Sequence, residues 1–88
     1  MRIQEPCLIG TFYSTTDAMA METFCQRNGV GGRLIPVPSG ISAGCGMCWK
    51  MPLDAREEME TAASSAGIRF QGMYACLEGV FYPVLQEP

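Results

Sequence analysis

With 88 residues and 9.6 kDa, the chain has material for one small domain, since either half alone would be too small to enclose a core. Apolar residues at 48% and charged residues at 17% exclude a disordered chain, and no apolar run approaches the roughly 18–20 residues that cross a bilayer. A net charge of −3 without any run of Lys or Arg argues against a nucleic-acid partner, because such binding rests on neutralising phosphates.

Cys7-Leu8-Ile9-Gly10-Thr11-Phe12 is a short apolar run suited to a buried strand. Ser14-Thr15-Thr16-Asp17 follows, a cluster of residues whose side-chain oxygens cap free amides in a helix's first turn. From Asp17 to Asn28, the residues Ala18, Met21 and Cys25 fall on one helical face with Phe24 beside them, and Asn28-Gly29 suits the left-handed turn that ends a helix. Arg33-Leu34-Ile35-Pro36-Val37 reads as a second strand, an edge or an end near Pro36, which has no N–H to donate. Pro38 through Gly46 is a loop rich in Gly and Ser, and Met47-Cys48-Trp49-Lys50-Met51 alternates like a third strand closed by Pro52. Ala55, Met59, Ala62, Ala63 and Ala66 mark a second helix over about Asp54–Ser65, with Asp54 as its cap and Gly67 as its stop. Ile68 to Leu77 is expected as a fourth strand with a bulge at Gly72. An apolar tail, residues 78–88, is expected to pack on the sheet or against a partner, outside a core of about 7–77.

The order βαββαβ predicts an α+β, ferredoxin-like two-layer sandwich: a four-stranded antiparallel sheet with two helices on one face. In that arrangement strands one and two run in the same direction. The turn after strand one and the loop after strand two then emerge at one end of the sheet, so Cys45 is expected near the N-terminus of the first helix. Helix N-termini favour anions, and they favour the thiolate over the thiol. Ser14, Thr15, Thr16 and Ser42 are the candidate anion-stabilising side chains, with Asp17 opposing them if its carboxylate faces the sulfur. Gly44 and Gly46 leave both flanks of Cys45 bare, so a reagent or a partner's cysteine could approach closely. A bland reading stands beside this one: the glycines shape a hairpin loop and Cys45 packs under it.

The chain holds five cysteines and no histidine. An odd count, with no export signal in Met1-Arg2-Ile3-Gln4-Glu5-Pro6, points to reduced thiols in a cytoplasmic protein. The missing histidine removes Ser-His-Asp and Cys-His catalysis and His-ligated metals. No metal site or cofactor is expected, because zinc or an iron–sulfur cluster needs about four converging soft ligands and only Cys45 and Cys48 are paired in sequence. Cys7, Cys25 and Cys76 read as core residues, as do Trp49 and the methionines on the apolar stripes.

Phe12-x-Ser14-Thr15-x-x-Ala18, Glu22, Gly29, Leu34-Ile35-Pro36-Val37-Pro38 and Ile41-Ser42-x-x-Cys45-Gly46 together resemble the selenium/sulfur carrier-like family, over about Leu8 to Met51 with a weaker echo at Gly67-Ile68. The resemblance implies that Cys45 holds sulfur or selenium as a persulfide or selenosulfide. A donor such as a cysteine desulfurase would load it and an acceptor enzyme would unload it, which makes the chain a carrier or accessory protein rather than a turnover enzyme. Better characterised sulfur carriers place a proline after the cysteine; here Gly46 follows Cys45.

Two other readings stay open. Cys45-Gly46-Met47-Cys48 has the C-x-x-C spacing of thiol-redox proteins, with Cys48 as a resolving thiol. Strand alternation would send the two sulfurs to opposite faces, and only a turn at Cys45-Gly46 could reunite them. The third reading is a non-catalytic interaction module that forms a homodimer or binds a partner through the open face of its sheet.

Overall fold

Residues 5–41 and 43–84 are described in this computed structural model of the chain. The elements run β1 (Cys7–Phe12), α1 (Thr15–Asn28), β2 (Arg33–Pro36), β3 (Met47–Pro52), α2 (Arg56–Ser65), β4 (Phe70–Leu77) and β5 (Val80–Pro83). The strands form one antiparallel sheet in the order β2-β3-β1-β4-β5, so the class is α+β, with five strands where four were expected.

The fifth strand comes from the apolar tail. Glu78 and Gly79 both take left-handed φ values, 52° and 78°. A two-residue loop with both residues left-handed has the twist that lets a strand return along its predecessor. Val80–Pro83 therefore pairs with β4, Val80 opposite Leu77 and Phe81 opposite Cys76. The tail is sheet, and residues 85–88 lie outside the described residues.

Strand alternation divides the core in two. Leu8, Phe12, Trp49, Met51, Phe70 and Met73 face Ala18, Met21 and Cys25 of α1 and Met59, Ala62 and Ala63 of α2. The opposite face carries a smaller cluster of Cys7, Ile9, Ile35, Cys48 and Cys76, capped by Ile41 from the loop after β2. Both helices thus lie on one face. The second helix, α2, presses on β1: a Cβ at Gly10 would sit 2.6 Å from Cε of Met59 and 2.6 Å from the Phe70 ring.

Element ends differ from expectation for local reasons. Ser14 is the cap of α1, so the helix starts at Thr15 rather than Asp17. Asp54 does not cap α2. It lies in an exposed turn, Ala55 takes the cap position without a side-chain bond, and the Ala55 N–H donates to the Pro52 carbonyl at 3.0 Å. Gly29 and Gly67, at φ 66° and 75°, end the two helices. The Ile68 N–H closes α2 by donating to the Ala63 carbonyl at 2.9 Å, which delays β4 to Phe70. Beside Gly72 the pairing shifts, from Thr11 opposite Gly72 to Phe12 opposite Phe70, so Gln71 is the extra residue of a bulge.

Candidate functional site

β1 delivers the chain to α1 through Ser14, whose extended backbone (φ −150°, ψ 161°) aims its hydroxyl at the first turn. Ser14 Oγ accepts the Asp17 N–H at 3.1 Å. That bond uses the hydroxyl oxygen as acceptor and ties Ser14 to the helix, while Thr15 and Thr16 are exposed on its first turn. Ser42 lies outside the described residues.

The loop between β2 and β3 is pinned at its base, where the Val37 N–H donates to the Gly46 carbonyl at 3.0 Å. A turn follows in which the Ile41 N–H donates to the Pro38 carbonyl at 3.3 Å, and Ile41 plugs into the thiol-bearing face of the sheet. Gly46, at φ 78°, turns the chain back into β3; a Cβ at Gly44 or Gly46 would meet nothing within 4 Å. The flanks of Cys45 are therefore bare and open.

Cys45 is half-buried, whereas Cys7, Cys25, Cys48 and Cys76 are buried. Its sulfur accepts the Met47 N–H at 3.4 Å, and its thiol reaches the Met47 carbonyl at 3.2 Å. Thr11 pairs with Cys48, so the residues before Cys48 extend past the end of β1, where the chain enters α1. Cys45 packs on the helix-side core that includes Phe12, Ala18 and Met21. The loop cysteine and the opening of α1 share one end and one face of the sheet.

Cys48, near enough to Cys45 for the two thiols to interact, packs against a different cluster. Fully inaccessible, it belongs to the cluster on the other face, and its nearest polar partner is the Pro36 carbonyl at 3.9 Å. Burial, then the nearby thiols Cys45 and Cys7, push the Cys48 thiol up to about 12. A resolving thiol reacts as the thiolate. The sealed position of Cys48 disfavours that form. Burial, then Glu58, likewise raises the Cys25 thiol. Trp49 is core, in the cluster against which Cys45 packs, its indole N–H unpaired and tight against Gly32.

Among the described residues no three His, Cys, Asp or Glu side chains are grouped to hold a metal ion, and no helix is long and apolar enough to cross a membrane. Sequence reading assigned Cys7 and Cys76 to the core one at a time. What it missed is that β1 and β4 bring them directly opposite each other.

Fold and loop together define a small α+β domain that presents one partly accessible thiol between two glycines. The chain belongs to the family described as Putative Se/S carrier protein-like, which matches residues 7–75 and so reaches through α2 to Ala75 of β4, short of the β5 hairpin. Neither a curated protein nor a solved structure matches the chain.

Proposed function

We propose that this protein carries sulfur or selenium on Cys45, as a persulfide or selenosulfide, from a donor such as a cysteine desulfurase to an acceptor enzyme. The observation that carries this reading is the singular position of Cys45: four of the five cysteines are buried, and this one stands in an open, glycine-flanked loop. The ferredoxin-like reading of the βαββαβ core rests on the order β2-β3-β1-β4, with β5 an addition outside β4.

In loading, the Cys45 thiolate attacks the terminal sulfur of a donor persulfide. A new sulfur–sulfur bond forms, the donor's bond breaks, and the donor cysteine leaves as a thiolate that takes up the proton Cys45 gave up. The product is Cys45–S–SH and a free donor thiol, with no net oxidation. The Met47 N–H gives the sulfur one fixed donor, and the first turn of α1 at the same end of the sheet supplies a field that favours an anion. Bare flanks matter in this reaction, because two protein-bound sulfurs must approach in line. A carrier of this kind works in the cytoplasm alongside donor and acceptor.

The test is incubation of the reduced chain with a cysteine desulfurase and cysteine, followed by intact-mass and peptide analysis. The expected result is a gain of one sulfur atom, located on Cys45. No added sulfur under conditions that load a known acceptor would overturn the proposal.

A further inference from the structure

Strand pairing places two other cysteines together. Cys7 on β1 and Cys76 on β4 are direct cross-strand partners in an antiparallel pair. Such partners have α-carbons about 4.5 or 5.5 Å apart, depending on their place in the ladder, and both values fall within the 4.4–6.8 Å span of a disulfide. Their side chains share a face, both sealed in the same small cluster. We propose that Cys7 and Cys76 form a site of reversible oxidation that closes to a cross-strand disulfide and ties β1 to β4.

The site has a way in. Cys7 is only 2% exposed, but it lines a groove of about 340 Å³ formed with Glu5, Pro6, Lys50 and Pro52. Burial, then the neighbouring Cys76, pushes the Cys7 thiol up to about 11, against an opposing pull from the Lys50 ammonium. The pair is therefore slow at rest and is oxidised from the groove side. With hydrogen peroxide as oxidant, the Cys7 thiolate attacks one peroxide oxygen, the oxygen–oxygen bond breaks and one water leaves. The Cys76 thiol then attacks the sulfur of the resulting Cys7 sulfenic acid; the sulfur–sulfur bond forms, the sulfur–oxygen bond breaks, and the departing hydroxide takes the Cys76 proton as a second water. Two thiols lose two electrons and two protons, and one peroxide becomes two waters. Cys45, beyond the other end of β1, takes no part.

This inference rests on strand register and is independent of the carrier reading, so the experiment uses the Cys45→Ser chain. The folded chain is treated with hydrogen peroxide, alkylated and digested without reduction. The expected product is a linked peptide pair whose fragmentation places the bond between Cys7 and Cys76, with a thermal midpoint that rises on oxidation and falls back on adding dithiothreitol. Cys76→Ala should abolish the link and the rise; if that variant does not fold, the linked peptide from its parent still decides the matter. Recovery of both cysteines as alkylated thiols, or a bond to Cys25 or Cys48 instead, would overturn the assignment.

Discussion

Replacing Cys45 and Cys48 separately by alanine should separate stability from sulfur loading. Cys48 is 0% exposed, so its alanine variant removes one heavy atom of roughly methylene size from a filled site. The lost transfer energy is about 0.8 kcal/mol, and the partly unfilled space brings the total to about 1–1.5 kcal/mol. The contact with the Pro36 carbonyl at 3.9 Å is too long to add much. Cys45 is half-buried and bonded only to backbone atoms of Met47, so its alanine variant should cost about 0.5 kcal/mol. A domain of this size holds about 4–13 kcal/mol, so both variants stay folded. Urea midpoints at constant slope measure the cost, and intact mass after desulfurase treatment measures loading. Cys48→Ala should be the less stable protein and still load; Cys45→Ala should be nearly as stable as the parent and take up no sulfur. A folded Cys48→Ala chain that fails to load would refute the reasoning, since the working unit would then be the cysteine pair.

Gly46→Ala should cost about 1–2 kcal/mol, because φ at 78° is left-handed, while Gly44→Ala, with open space and no such angle, should be neutral; equal urea midpoints would contradict the loop geometry. Gly10→Ala should lower stability by about 1–3 kcal/mol, since its Cβ would lie 2.6 Å from both Met59 and Phe70, and Phe70 is held by Phe12 at a ring separation of 5.4 Å. A thermal scan finding that variant unchanged would mean α2 does not press on β1. The Cys48 thiol is raised in the folded state from 9.0 to about 12, so the stability of its neutral form is complete below about pH 9 and is lost as pH climbs toward 12. The parent's urea midpoint should thus fall above pH 9 more steeply than that of Cys48→Ala, and identical slopes would show that Cys48 is not sealed.

Much of the fold was legible because its signals are local. Ser14 and Gly29 bracket α1, and Gly67 stops α2, through hydrogen-bonding and φ preferences that need no distant partner. The core stripes Ala18, Met21, Cys25 and Met59, Ala62, Ala63 follow from helical periodicity alone. The misses occurred where two weak signals competed. Asp54 looks like a cap, but a turn from the Pro52 carbonyl to the Ala55 N–H sets the entry to α2. Glu78-Gly79 lacks the Asn or Asp that announces a primed turn, so β5 read as an unassigned tail.

The candidate site divides along the same line. The place of Cys45 between Gly44 and Gly46 and the absence of histidine were present in the residues themselves, since composition and sequence neighbours are properties of the chain. Which thiols are sealed, where Ile41 anchors the loop, and that Cys7 faces Cys76 were decided only by the packed sheet. Register between strands some seventy positions apart depends on how two cores fill on opposite faces, and no local preference of Cys7 or Cys76 encodes that partner.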